Sequence, residues 1–207
     1  MPGPFGIGDF GDQARAFVDF LFAGGQSLWQ VLPLGPTGYG NSPYQGFSAF
    51  AGNILLISPR CLAADGLLTP KDLESLPGFS DRLVDYGAAQ PFKGALLDKA
   101  FGNFTRRAKG ELHSAFAQFC EHCSFWLDDY ALFSALKEAH GRIQWIEWDR
   151  ELADYQAAAI ATARGKLREE IERQKFHQFL FFRQWQALRE YGHARGVRLV
   201  GDLPIWV

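Results

Sequence analysis

The sequence predicts an α/β chain, and two helix-to-strand passages carry that expectation. Near the N-terminus Ala14, Phe17, Val18 and Leu21 recur at i, i+3, i+4 and i+7, the spacing of one apolar helical face. Gly24-Gly25 stops that helix, and residues 27 to 34 come next as an apolar run of strand length. Towards the other end, a helical stretch over about 155 to 195 passes through Gly196 into a second strand candidate, Val197 to Val200. A helix feeding a strand is half of a β/α unit.

Composition narrows the classes of partner. The chain has 207 residues, a net charge of −2 and a pI near 6.2, which argues against nucleic acid or an anionic membrane. Nineteen Phe, six Trp and six Tyr call for extensive aromatic packing, an aromatic-lined site, or both. No apolar run reaches the roughly 18 residues of a membrane span, and MPGPFGIGDF lacks the regions of a signal peptide. Three cysteines, an odd number, do not make a disulfide framework. The expectation is a soluble, cytoplasmic protein without metal or other cofactor.

Taken in order, the chain opens on a false lead. Gly6-Ile7-Gly8-Asp9-Phe10-Gly11 fits G-x-G-x-x-G, but Met1-Pro2-Gly3-Pro4 cannot be the strand that must feed a dinucleotide site. Asp9 would set a carboxylate against the pyrophosphate, so a glycine-rich lead into the helix is expected instead of a nicotinamide-dependent oxidoreductase. Asp12 suits the positive end of that helix. Trp29 to Pro33 reads as a buried strand.

Residues 35 to 53 form an irregular loop fixed by Gly35, Pro36, Gly38, Gly40, Pro43 and Gly46. It sets Tyr39, Tyr44, Phe47 and Phe50 beside Asn41, Ser42, Gln45 and Ser48. A packed connecting loop is one reading. The other is a sugar site, because a ring of C–H groups stacks on an aromatic face while its hydroxyls need uncharged polar partners.

The apolar run Ile54 to Ile57 stops at Pro59, and residues 61 to 109 read as irregular. Within them Thr69-Pro70-Lys71-Asp72 is a helix start cut short by Pro77-Gly78. Leu96, Leu97, Ala100, Phe101 and Phe104 predict an amphipathic helix closing near Gly110. A helix over 111 to 140 contains Cys120-x-x-Cys123, read as buried thiols because zinc would need two more ligands. Asp128 and Asp129 diverge on a helix and make no carboxylate pair, and His177 reads as a packed histidine. Asp202 lies just past the last strand, where functional side chains gather in parallel α/β folds, although a turn role is the commoner one.

Four blocks, PFGIGDFG, WQVLPLGPTGYGNSPYQGFSAFAGN, WLDDYALFSALK and FLFFRQWQALREYGHARGVRLVGDLPIWV, resemble the 4-α-glucanotransferases. This is glycoside hydrolase family 77, also called amylomaltase or disproportionating enzyme. The resemblance implies an incomplete (β/α)8 TIM barrel segment with a largely helical insertion. It divides the chain into a barrel segment over 1–58 with its substrate loop 35–53, an insertion over 59–165, and a barrel helix and strand over 166–207.

The same resemblance implies transfer of 1,4-α-glucan segments between maltooligosaccharides by a retaining double displacement, with no cofactor. Tyr44 resembles the tyrosine that stacks beside the cleavage point, Ser42 a serine of the same pocket, and Asp202 the aspartate lining the donor-sugar site. Tyr39 matches an aromatic of a peripheral glucan contact, and Gln45 is included as a neighbour in the motif. Asn41 stands where an Asp is frequent. The family's catalytic carboxylates are expected beyond this chain, as an N-terminal fragment would require. A non-catalytic α-glucan-binding module and a helical interaction protein built on residues 111 to 195 are the rival readings.

Overall fold

The computed structural model describes residues 3–107 and 110–204. Its principal elements, in order, are α1 (Asp12–Ala23), β1 (Leu28–Gln30), α2 (Pro59–Ala64), α3 (Tyr86–Arg106), α4 (Glu111–His122), α5 (Ser124–Ala139), α6 (Arg150–Ala153), α7 (Ala157–Lys166), α8 (Arg168–His193) and β2 (Arg198–Val200). They form two compact units, one of Met1–Ala108 with Leu180–Val207, the other of Lys109–Phe179. The chain is thus mostly helical, with a small two-stranded sheet among the described residues. No described helix is long and apolar enough to cross a membrane.

In the first unit both strands are fed by the same local device. At the end of α1, Gly25 takes a φ of 67°, Gln26 N–H donates to the Leu21 carbonyl and Gly25 N–H to that of Phe22. At the end of α8, Gly196 takes a φ of 72°, Val197 N–H donates to the Gly192 carbonyl and Gly196 N–H to that of His193. Each closure satisfies carbonyls that the last helical turn would leave unpaired, and only glycine enters the left-handed region cheaply. The strands then pair in parallel, with Leu28 opposite Arg198, Trp29 opposite Leu199 and Gln30 opposite Val200. Asp19 of α1 clasps the far end of α8, accepting from Tyr191 Oη at 2.9 Å and forming an ion pair with Arg195, whose Nε lies 2.6 Å away, while the Arg195 guanidinium lies over the Tyr191 ring.

The buried strand expected over 27 to 34 is shorter and wetter than predicted. Only Leu28–Gln30 is strand, and Leu28 and Leu32 are exposed while Trp29 is half-buried, its ring edge-on to Phe17 of α1 at 5.0 Å. The sheet has two strands, so alternate side chains face away from α1 and meet solvent. Pro33, which has no N–H, stops the ladder.

Residues 61 to 109 are more regular than expected. Helix α3 spans 21 residues and begins at Asp85, whose carboxylate accepts from Ala88 N–H. Gly87, Pro91, Gly94 and Gly102 within it mask the helical signal, yet Leu96, Leu97, Ala100, Phe101 and Phe104 are buried as predicted. The helix start at Thr69 is a capping box on a short 3₁₀ turn, Pro70–Leu73. Its Asp72 is held at a pKa of about 2, chiefly by the Lys99 ammonium and then by the Thr69 N–H.

Lys93 pins α3 beneath the glycine-rich entry. It is 1% exposed, and its ammonium donates to the Leu55 carbonyl at 2.6 Å and the Ile57 carbonyl at 3.1 Å, with Asp9 Oδ2 at 3.5 Å. Asp9 Oδ1 accepts from Gly11 N–H at 2.9 Å, and Phe10 packs against Phe181 and Trp185. The G-x-G-x-x-G segment is therefore an anchor for α1, as its lack of a leading strand required. From α8, Gln184 accepts from Ser58 N–H at 2.7 Å.

The second unit is helical. Ala131, Leu132, Ala135 and Leu136 of α5 form a core with Trp148, Ile160, Ala163 and Ile171. Phe116, Phe176 and Phe179 pack as an aromatic cluster. The helix predicted over 111 to 140 breaks at Cys123, which caps the end of α4 and the start of α5. Both thiols expected to be buried are half-buried and unoxidised, and partial burial pushes Cys120 up to about 11. Asp128 pairs with Lys175 while Asp129 meets Arg164, so the two acids diverge as expected. His177 is buried.

Burial holds the Lys93 ammonium at a pKa of about 8, against the pull of Asp9 in the other direction. Between pH 8 and the ordinary 10.5, the unfolded chain keeps a proton that the folded chain has released. Stability therefore rises with pH across that window, while below it the cost of burying the charge is borne in full. Lys93→Met is expected to flatten the rise in urea-unfolding free energy between pH 8 and 10.5. An unchanged slope would mean that Lys93 titrates as a solvated amine.

Candidate functional site

Parallel pairing brings the carboxyl ends of β1 and β2 to the same edge, where Val31 N–H donates to the Val200 carbonyl at 2.9 Å. The loop 35–53 leaves from one strand and Gly201-Asp202 from the other. Asn53 N–H donates to the Leu34 carbonyl at 2.7 Å and closes the base of the loop. Gly52 is pressed against the Phe181 ring so closely that a Cβ would lie 2.2 Å from it. Above this base, Thr37 and Gly46 form an antiparallel bridge, and Gly38 N–H donates to the Gln45 carbonyl at 2.7 Å.

The tip of the loop is a tight turn, Tyr39–Asn41, in which Gly40 and Asn41 have φ of 65° and 54°. Asparagine is among the few side chains that tolerate this region. The Asn41 amide oxygen accepts from Gln90 Nε2 of α3 at 3.0 Å. An amide oxygen at position 41 thus ties the loop to a helix, through a partner that no motif marked. Ser48 Oγ accepts from Phe50 N–H and Ala51 N–H, both at 3.1 Å, and holds the return limb.

Tyr44 and Asp202, 158 residues apart in sequence, meet directly. The Tyr44 phenol donates to Asp202 Oδ2 at 2.8 Å, and Asp202 Oδ1 accepts from Leu203 N–H at 2.9 Å. The hydrogen bond to the carboxylate raises the Tyr44 pKa, with desolvation adding to it, so the phenol keeps its proton. Ser42 stands next to this pair, its Oγ accepting from Tyr44 N–H at 3.3 Å. Gln45 contributes its backbone to the neck of the loop, and its side chain is exposed. The backbone of Tyr39 begins the tip, while its side chain lies outside the described residues.

The chemistry of this arrangement is specific. With its O–H committed to Asp202, Tyr44 offers a ring face, and the carboxylate keeps lone pairs to accept from hydroxyl donors. Among the described residues no cluster of His, Cys, Asp and Glu could hold a metal ion.

A family model described as 4-alpha-glucanotransferase matches residues 1–207. The chain belongs to that family. It is 48% identical over 207 residues to the 4-alpha-glucanotransferase of Thermus thermophilus, covering 100% of this chain and 41% of that protein. It is 41% identical over 214 residues to the chloroplastic/amyloplastic 4-alpha-glucanotransferase of Solanum tuberosum, covering 100% of this chain and 36% of the plant protein. An amylomaltase from Streptococcus agalactiae, solved in complex with acarbose, superposes with a TM-score of 0.92 at 37% identity, over 98% of this chain and 41% of that one. The chain spans about two fifths of the bacterial relative's length.

Gly52→Ala is expected to destabilise the first unit by about 1–3 kcal/mol, the cost of overpacking, read as a lower urea midpoint. Wild-type stability in that variant would mean that the loop base does not rest on Phe181.

Proposed function

We propose that the chain supplies the donor-sugar side of a cytoplasmic 4-α-glucanotransferase. In this reading the whole protein moves 1,4-α-glucan segments between maltooligosaccharides by a retaining double displacement. The observation that carries it is the 2.8 Å bond between Tyr44 and Asp202 at the edge shared by the two strand ends. Family membership supports the reaction, and the neighbour solved with acarbose supports a carbohydrate ligand. Three unpaired cysteines agree with a reducing compartment.

In the proposed mechanism Tyr44 places its ring against the apolar face of a glucosyl unit. Asp202, oriented by that phenol and by the Leu203 N–H, accepts hydrogen bonds from the sugar's hydroxyls. Ser42 supports the turn that presents Tyr44 and adds a hydroxyl beside it. Tyr39 is assigned a peripheral glucan contact and Gln45 a contact on the exposed rim. Retention needs a nucleophile and an acid/base carboxyl roughly 5–5.5 Å apart, and these we assign to sequence outside this chain. β1 and β2 are then neighbouring strands of a (β/α)8 barrel, with residues 59–165 largely a helical insertion. Such barrels carry their sites at the carboxyl ends of the strands, which is where Tyr44 and Asp202 meet.

The 207-residue chain incubated with maltotriose is expected to yield no longer maltooligosaccharides by chromatography. Products above background would place a complete catalytic set inside it. In the whole enzyme, Tyr44→Ala is expected to lower kcat/KM roughly tenfold, the scale of an aromatic contact, and Tyr44→Phe less. Equal losses in the two variants, or a loss explained entirely by a lower Tm, would give Tyr44 a packing role instead. Calorimetric binding of maltotriose to a whole protein that lacks transfer activity would favour a non-catalytic α-glucan-binding module.

A further inference from the structure

The segment that presents Tyr44 closes on itself more than on the rest of the chain. Gly40 and Asn41 both lie in the left-handed region. Inside the tip the hydrogen bonds are local: Asn41 N–H donates to the Gly38 carbonyl at 3.2 Å, and Gln45 N–H to that of Ser42 at 3.3 Å. Bonds between residues three apart close a turn, but they do not fix its angle to the neck at Gly38 and Gln45. The side chains of Tyr44 and Asn41 do that by reaching out of the loop. Tyr44 meets Asp202 at one end of the segment, and Asn41 meets Gln90 at the other.

The two ties respond differently to a sugar. In the proposed mechanism the Asp202 carboxylate accepts from the sugar's hydroxyls, which therefore compete with the Tyr44 phenol for its lone pairs. The bond at 3.0 Å between the Gln90 amide and the Asn41 amide oxygen joins two uncharged groups and involves neither Tyr44 nor Asp202. It holds the tip whether or not the carboxylate is engaged.

Gln90 is also firmly mounted. It lies in α3 beside buried Ala89 and one helical turn before Lys93, whose ammonium donates to the Leu55 and Ile57 carbonyls. Those carbonyls belong to the segment that follows directly on the loop's return limb. A single helix thus grips the loop's exit through Lys93 and its tip through Gln90. We propose that Gln90 is a positioning residue for donor binding, setting the loop through Asn41 before the glucan arrives, so that binding does not carry the cost of ordering it. This role rests on the donor-site function proposed above and adds to it a residue that acts through Asn41 and not on the sugar.

Kinetics of the whole enzyme with maltotriose test it. Losing a group that preorganises the free enzyme weakens substrate and transition state alike, which raises KM and leaves kcat. Loss of folded protein instead lowers kcat at constant KM. Gln90→Leu removes the donor, Asn41→Gly removes the acceptor without straining the left-handed backbone, and Asn41→Asp keeps an oxygen for the Gln90 amide. Gln90→Leu and Asn41→Gly are each expected to raise KM about fivefold at unchanged kcat, the scale of one neutral hydrogen bond. Combining them is expected to do no more than Asn41→Gly alone, and Asn41→Asp to match the wild type. Additive effects, an Asn41→Asp enzyme as impaired as Asn41→Gly, or a fall in kcat at unchanged KM would overturn the proposal. If Gln90→Leu lowers the Tm, the two Asn41 variants decide the matter, because they change nothing within the helix. Tyr44→Ala is measured alongside: impaired Tyr44→Ala with unaffected Gln90→Leu removes the role of Gln90 and leaves the donor site standing. Wild-type kinetics in Tyr44→Ala would sink the donor-site reading, and the role of Gln90 with it.

Discussion

The candidate site exists because Leu28–Gln30 pairs in parallel with Arg198–Val200. In a parallel pair both carboxyl ends lie on the same side, so the segments leaving the two strands are delivered to one edge. The first strand leads into a loop with Tyr44 in its middle, and the second leads to Asp202. Their 2.8 Å hydrogen bond is a consequence of the ladder's register. Shifting the register by one residue would turn the shifted strand's side chains over and separate the groups that now meet.

The rest of the first unit serves to hold that ladder. Two glycine closures end the helices that feed the strands, and Asp19 ties α1 to the end of α8 through Tyr191 and Arg195. Beneath them, buried polar groups act as clips. Lys93 bridges two carbonyls and Asp9, and Gln184 holds the backbone of Ser58. Each is matched to specific acceptors or donors, so each fixes one arrangement where apolar contacts alone would allow several. The loop inherits this rigidity through Gly52 against Phe181 and Asn41 against Gln90.

The aromatic load divides between packing and exposure. Phe116, Phe176 and Phe179 are buried in the second unit's cluster, whereas Trp145 and Tyr155 stand open to solvent. Composition gives the abundance of rings, but it cannot say which of them face water. That depends on which helices pack against one another, and Tyr155 reaches its place only through a backbone conformation that its side chain disfavours.

Local signals were legible in the residues. The period of α1, the stop at Gly24-Gly25, the start at Thr69 and the glycine-rich lead of Gly6–Gly11 into α1 all rest on neighbours a few positions apart. The family likeness is equally plain in LPLGPTGYGNSPYQ and GDLPIWV, and it singles out Tyr44 and Asp202 from the residues alone. Long-range partners were not legible, because nothing in the surroundings of Lys93, Gln90 or Gln184 announces a contact 36 to 126 residues away. Helix α3 was obscured by its own glycines and proline, and the continuous helix expected through Cys123 broke because apolar periodicity does not record a cap. Family membership and most of the helices and turns could thus be had from the residues unaided, since they rest on short-range sterics and on motif identity. The closure of the Tyr44 phenol on the Asp202 carboxylate, and the tie of the Asn41 amide to Gln90 of α3, came from folding alone, because each depends on where the folded chain brings distant groups together.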